Sequence, residues 1–304
     1  MNVPAKLIGF GVVLAAVFAA SLGVGAAVGP ISGTGGNGEH GAHDDGASGK
    51  AADAADGSTS AGLDTEGLAI SAGGYTFDPV ATVVAPGAPT AFNFRILGPG
   101  GAPVTRYAPR HDRELHLIVV RRDLAGYQHL HPRRAADGTW TVSLTLASAG
   151  VYKAYADFDP AGGAPPMTLA GDIFASGDFE AQSLPAPSAT ATVDGFAVTL
   201  RGALTAGEES DLSFTVAKDG APVVDLEPYL GAFGHLVALR AGDLAYLHVH
   251  PEGAPGDGHT RAGPEITFHA EVPAAGSHRL FLDFQHGGVV RTAEFTVVAT
   301  GASS

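Results

Sequence analysis

The sequence predicts an all-β protein built from two tandem β-sandwiches of the immunoglobulin-like or cupredoxin-like kind. The first observation behind this prediction is an internal duplication. The motif Tyr-x-His-x-His-Pro occurs at 127–132 and again at 246–251, and Gly-Ala-Pro-Val at 101–104 recurs at 220–223. Both pairs are separated by 119 positions, and further on Ala-Gly at 149–150 and Asp-Phe at 157–158 recur 126 positions later. A nearly constant shift of this length indicates a duplicated structural unit of domain size.

The second observation is a series of short segments in which apolar and polar residues alternate, separated by turns rich in glycine and proline. Such alternation is typical of half-buried β-strands, and about seven of them per copy are typical of a β-sandwich. Asp219-Gly220 is a hairpin signal between two segments. The predicted strands are at 91–96, 115–120, 140–146, 151–158 and 172–175 in the first copy, and at 196–200, 212–217, 235–240, 246–250, 266–272, 278–284 and 291–298 in the second.

An uncharged apolar segment, residues 7–29, precedes the duplicated region and follows Lys6. With a rise of 1.5 Å per residue, a helix of this length can cross a hydrocarbon core of about 30 Å. We therefore predict that residues 1–29 are an N-terminal transmembrane helix in the cell membrane, with the modules outside the cytoplasm. The alternative is a signal sequence cleaved after the small residues 24–26, which would make the protein secreted.

The remaining boundaries follow from composition. Residues 30–66 are rich in Gly, Ala and Asp and almost lack large apolar side chains, so we predict a disordered acidic linker. The first β-sandwich module is predicted at 67–180 and the second at 192–300, with a proline-rich hinge at 181–191. Each module is long enough to bury a core, so we expect the two to fold independently.

The composition excludes several functions. The 304 residues include no cysteine and only two methionines, which excludes disulfides and thiolate sites and disfavours a methionine-rich Cu(I) site. The formal net charge of −14 argues against binding to nucleic acid. The sequence has no Gly-x-Ser-x-Gly motif and no glycine-rich phosphate loop after a strand. We therefore expect a binding protein rather than an enzyme.

The strongest functional signal is a set of three histidines that both copies carry at the same spacing. His129 and His131 are two residues apart on a predicted strand, so they point to one face. A tight hairpin with the preceding strand would place His116 opposite His131, and the equivalent hairpin would place His235 opposite His250. Cross-strand neighbours are about 5 Å apart, so three imidazoles could converge on one ion.

Three imidazole nitrogens, with or without a carboxylate oxygen, suit Zn(II) or Cu(II). We therefore predict one divalent metal site in each module, with an aspartate as a fourth ligand or as a group that orients a histidine. The candidate ligands are His116, His129 and His131 in the first module and His235, His248 and His250 in the second. The candidate aspartates are Asp157 and Asp283.

The same histidines have a second interpretation. A duplication repeats the residues of the fold as well as those of a site. The histidines could therefore be structural, in a surface module that binds a protein or a glycan. Ligand nitrogens that converge to within about 4–5 Å of one another would favour a metal, whereas splayed rings would favour the surface module.

Around the two histidine motifs the sequence resembles bacterial membrane-anchored or secreted proteins and is similar to the YtkA-like domain family. The resemblance rests on Asp-Leu at 123–124, the motif at 127–132, Ala-Gly at 149–150 and Asp-Phe at 157–158, with counterparts in the second copy. It covers residues 70–300, approximately. The resemblance implies extracytoplasmic β-sandwiches, and we expect a link to the handling of heavy metals, copper in particular.

Overall fold

The computed structural model describes residues 67–247 and 249–301, and all regular secondary structure in these ranges is β. The strands of the first copy are β1 (Ser71–Ala72), β2 (Tyr75–Pro79), β3 (Val83–Val84), β4 (Thr90–Leu97), β5 (Tyr107–Ala108), β6 (Leu115–Arg121), β7 (Gln128–Leu130), β8 (Arg133–Arg134), β9 (Trp140–Leu144), β10 (Gly150–Pro160) and β11 (Met167–Ala175). The strands of the second copy are β12 (Thr190–Val193), β13 (Phe196–Arg201), β14 (Glu209–Lys218), β15 (Ala221–Pro222), β16 (His235–Arg240), β17 (Tyr246–Leu247), β18 (Val249–Pro251), β19 (Glu265–Glu271), β20 (Gly276–His286) and β21 (Val289–Ala299).

Two sheets face each other in the first copy. One has the order β1-β2-β4-β9-β8, and the other has the order β3-β11-β10-β6-β7 with β5 attached to β10. Phe77, Phe94 and Trp140 of the first sheet belong to the same buried cluster as Leu117 and Phe158 of the second. Because strands with alternating side chains bury one face each, two such sheets over one core make a β-sandwich.

The second copy repeats this arrangement. Its sheets have the orders β12-β13-β14-β19-β18, with β15 attached to β14, and β17-β16-β20-β21. Phe214, Phe268, Leu282 and Phe295 lie in the core between them. The predicted all-β fold with tandem sandwiches is therefore confirmed. The predicted helix at 1–29 and linker at 30–66 lie outside the described residues, and no helix among the described residues is long and apolar enough to cross a membrane.

The hairpin that carries the first histidine motif has the predicted register. Strands β6 and β7 are antiparallel, and Ile118 pairs with His129. In the second copy β16 and β17 begin in the equivalent register, with Leu239 opposite Tyr246. The chain then leaves this sheet after Leu247, and β18 joins the opposite sheet beside β19.

This early crossover changes the predicted partner of one histidine. His250 pairs with His269 of β19 rather than with His235. His235 instead has Asp283 of β20 as its cross-strand neighbour. The predicted pairing of His235 with His250 is therefore corrected, because the hairpin that would bring them together ends before it reaches His250.

A third apolar cluster joins the two copies, which belong to one compact unit of the chain. Equivalent positions of the duplication meet in it. The pairs of equivalent residues are Ile118 with Val237, Val120 with Leu239, and Tyr155 with Phe281, and all six are fully buried. The Tyr155 hydroxyl also donates to the Leu244 carbonyl at 2.6 Å. A patch that meets its own counterpart is typical of a two-fold symmetric interface.

Candidate metal centre

The structure brings together the three histidines predicted for the first module. His116 is the second residue of β6, His129 lies on β7, and His131 is the first residue after β7. Each ring offers one nitrogen, and the three nitrogens lie within 4.8 Å of one another. The His116 ring is buried, with 1% of the residue exposed. This convergence meets the distance criterion for a shared ion.

Hydrogen bonds determine how two of these rings are oriented. His116 Nε2 is 3.0 Å from the Arg110 carbonyl oxygen, and His129 Nδ1 is 2.8 Å from Asp283 Oδ2. The remaining nitrogens, His116 Nδ1 and His129 Nε2, face each other at 3.0 Å. Each ring is therefore held from outside, and each directs its second nitrogen toward the other.

The carboxylate that holds His129 comes from the second copy of the duplication. Asp283 is 1% exposed, and its other oxygen accepts a hydrogen bond from the Thr292 hydroxyl at 2.5 Å. Its counterpart Asp157 is used differently, because its Oδ1 is 3.1 Å from the Arg110 guanidinium. One predicted aspartate thus orients a candidate ligand, and the other forms an ion pair at the edge of the centre.

Two further imidazoles surround the three candidate ligands. The His235 ring stacks on His116, with centroids 5.5 Å apart and planes 10° apart, and lies 4.9 Å from the centroid of His129. The His111 ring is 5.1 Å from that of His235. His235 packs against the centre, and it is not part of the group of three histidines whose nitrogens converge.

The candidate ligands of the second module are not brought together. His235 lies beside the first module's histidines, and His250 lies on β18 in a different sheet from His235. His248 falls outside the described residues. Within the described part of the chain, the duplication therefore yields one cluster at the junction of the copies, where the sequence predicts two sites.

Burial keeps His116, His131 and His235 neutral. It is the main cause that lowers the pKa of His116 to about 2, and the neighbouring His129 adds to it. Burial also lowers the pKa of His131 to about 3 and that of His235 well below the usual value. Neutral imidazole is the form that binds metals, so protons do not compete with a metal at these rings near neutral pH.

Two buried polar atoms in or beside the centre lack a hydrogen-bond partner among the described residues: His131 Nε2 and the Tyr127 hydroxyl. A buried polar atom left unpaired costs about 1–3 kcal/mol. Burial, followed by the charge of Asp283, raises the pKa of Tyr127 well above its usual range, so its hydroxyl stays protonated. An ion at the centre would give His131 Nε2 the partner it lacks.

Sequence reasoning did not anticipate that His111 and His235 would join the first module's histidines, nor that Asp283 would hold His129. The available signal lies in β6, where all seven residues are buried, and in β16, where five of six are. Runs of apolar residues without alternation indicate strands that are covered on both faces. Such strands could have indicated that the outer face of each sheet packs against another apolar surface.

The chain belongs to the family described as Domain of unknown function (DUF8832), whose model matches residues 70–168 and 191–301. No curated protein sequence matches the chain significantly.

Several solved structures have a distant similarity to this chain. They include the Escherichia coli adhesin FdeC, at 13% identity and a TM-score of 0.25, with 77% of this chain and 66% of that chain covered. The bacterial integrin-binding protein invasin has 13% identity and a TM-score of 0.23, with 77% and 41% covered. InvD of Yersinia pseudotuberculosis has 13% identity and a TM-score of 0.24, with 76% and 59% covered. The chain spans less than two thirds of each of these proteins.

Proposed function

We propose that this protein binds one divalent transition metal ion, Zn(II) or Cu(II), through His116, His129 and His131. The observation that carries the proposal is the pair of nitrogens that face each other. A carbonyl oxygen can only accept, so the Arg110 carbonyl requires a hydrogen on His116 Nε2. If the ring is neutral, its Nδ1 then carries a lone pair and no hydrogen.

The same reasoning applies to His129. Because the Asp283 carboxylate accepts, it requires a hydrogen on His129 Nδ1, which leaves a lone pair on Nε2 of the neutral ring. The two lone pairs face each other at 3.0 Å. They repel unless a cation lies between them. Nitrogens bound to one tetrahedral zinc ion at 2.0–2.1 Å lie about 3.3 Å apart, so a small separation of the rings would admit the ion.

The ligand chemistry favours borderline divalent ions. Three neutral imidazoles suit Zn(II) or Cu(II), whereas Mg(II) and Ca(II) prefer oxygen ligands. A carboxylate behind a ligating histidine fixes its tautomer and makes it a better donor, and Asp283 has this position behind His129. We further propose that the modules act outside the cytoplasm, anchored through residues 7–29 or released if that segment is cleaved.

Metal titration of the full chain tests the proposal. After removal of metal with a chelator, the protein is titrated with Zn(II) and with Cu(II) by calorimetry. We expect one tight ion that the variant His116→Ala/His129→Ala/His131→Ala does not bind. The control His259→Ala alters an exposed loop histidine and should leave the tight ion unchanged. A triple variant that binds either ion as tightly and as often as wild type would refute the proposal.

A second candidate is a surface module that binds a protein or glycan, with structural histidines. A single proton between His116 and His129 would also relieve the repulsion described above. The observation that favours this candidate is an exposed apolar pair: Val83 and Phe174 are neighbours on β3 and β11 and are 66% and 43% exposed. Exposed apolar patches often mark interaction surfaces. The metal titration separates the two candidates, because this one predicts no tight ion.

A further inference from the structure

A second arrangement of histidines lies on the outer face of the sheet β12-β13-β14-β19-β18. His250 on the edge strand β18 pairs directly with His269 on β19, and His269 pairs directly with Asp211 on β14. Directly opposed residues of an antiparallel sheet point to the same face, with Cβ atoms about 4.5–5.5 Å apart. The three side chains therefore form one row across three strands.

The row faces solvent. Along β19 the buried residues Ile266, Phe268 and Ala270 alternate with the outward-facing ones, among which is His269. The His250 residue is exposed, and the side chains of His269 and Asp211 are 36% and 73% exposed. Ions from solution can therefore reach the row without any movement of the sandwich.

The hydrogen bonds and charges around the row suit a metal ion. His269 Nδ1 is 2.7 Å from Asp211 Oδ1, which leaves Nε2 as the nitrogen available to an ion. The hydrogen bond to Asp211 is the main cause that raises the pKa of His269, and the nearby Glu209 and Glu252 add to it, so an ion must compete with a proton for this ring. These carboxylates place negative charge around the row, and this charge attracts cations.

We propose that His250 and His269 form a second, exposed site for a divalent transition metal such as Cu(II), with water at the remaining positions. The site is independent of the buried centre and does not require that centre to bind metal. Two imidazoles and open water positions make its ion weaker and more readily exchanged than one held by three buried imidazoles.

The first copy provides an internal comparison. In its equivalent sheet the pair Ala91 and Ser143 occupies the place of Asp211 and His269. His131, the sequence counterpart of His250, lies in the buried cluster instead. The exposed row is therefore particular to the second copy, and the first copy cannot form the equivalent site.

Titration of the metal-free full chain with Cu(II), followed by calorimetry, tests the inference. We expect His250→Ala/His269→Ala to lose one weakly bound ion while the tight ion of the buried centre remains. Asp211→Asn keeps both nitrogens and should weaken the same ion by about 10-fold, as expected for a carboxylate that orients a ligand. The matched control His259→Ala/His286→Ala removes two other histidines of the second copy and should retain the weak ion.

The outcomes separate this site from the buried centre. The triple variant of His116, His129 and His131 should keep the weak ion, whether or not wild type binds a tight one. Circular dichroism of the metal-free variants verifies that the sandwiches are intact. If His250→Ala/His269→Ala binds as many Cu(II) ions as wild type with the same affinities, the inference is wrong.

Discussion

At the scale of single residues, His129 contacts side chains of both copies. Its Nδ1 faces Asp283 of the second copy at 2.8 Å, and its Nε2 faces His116 of the first at 3.0 Å. The side chain of His129 is 3% exposed, so water does not replace either partner. The direction of the proposed metal-binding lone pair is therefore set by a residue more than 150 positions away in sequence.

Replacing the two equivalent aspartates separates their roles. Asp283→Asn removes the negative charge behind His129 and leaves a single acceptor oxygen for His129 and Thr292, so we expect metal affinity to fall about 10–100-fold. Asp157→Asn weakens the ion pair with Arg110, which contacts His116 only through its backbone carbonyl, so we expect a smaller loss. Calorimetric titration with Zn(II) measures both. Equal losses in the two variants would contradict the assigned roles.

At the scale of strands, β6 and β16 are covered on both faces, as are the middle parts of β10 and β20. One face of each contributes to the core of its own sandwich, and the other contributes to the cluster between the copies. Phe281 on the neighbouring strand β20 stacks on Tyr127 with ring centroids 4.0 Å apart. Independent folding of the modules stays a prediction, and a separated module would expose this apolar face to water.

Truncation of one aromatic side chain measures the strength of this interface. Phe281 is fully buried, so Phe281→Ala should lower the free energy of unfolding by about 3–5 kcal/mol. Val298→Ala, on β21 of the same sheet, changes a residue that is 50% exposed and should cost less than about 0.5 kcal/mol. Chemical denaturation of the metal-free chain gives both values. Similar costs would mean that the copies are only loosely packed.

At the scale of the whole molecule, buried neutral histidines should make the metal-free protein sensitive to acid. Burial lowers the pKa of His235 and of His278, which are 8% and 0% exposed. In the unfolded chain each titrates near pH 6.5. Below that pH the unfolded chain binds protons that the folded chain does not. Stability is therefore lost as the pH falls from about 6.5.

The expected loss from His235 is about 1 kcal/mol between pH 7 and pH 5.5, because a ring that stays neutral costs up to about 1.4 kcal/mol per pH unit, and His278 adds a loss in the same direction. The groups that face His278 are Arg240 and Asp243, and His235 faces the histidine cluster. Denaturation at the two pH values in the presence of a chelator measures the loss. His278→Phe should reduce the loss of stability between the two pH values. An unchanged stability would contradict the neutral state of these rings.

The local sequence pattern predicts much of the fold, and it predicts the part of the centre that the first copy contributes. Alternation and turn residues predicted the strands, and the spacing of His116 and His129 predicted a hairpin register that the structure confirms. The position of Asp283 beside His129 could not be predicted, because it depends on how the two sandwiches pack. The early exit of the chain after Leu247 could not be predicted either, since Val249 and His250 suit a strand in either sheet.

The two copies meet at equivalent positions, yet each position can be substituted separately because both copies lie in one chain. A pair of separate identical chains carries every substitution twice, so its centre must hold ions in twos or on the axis. Here the copies share one backbone, and equivalent positions can carry different residues. His111 is the counterpart of Leu230 in the duplication, and both residues have a left-handed backbone. The first copy can therefore supply the three converging histidines while the second supplies Asp283, which holds one of them.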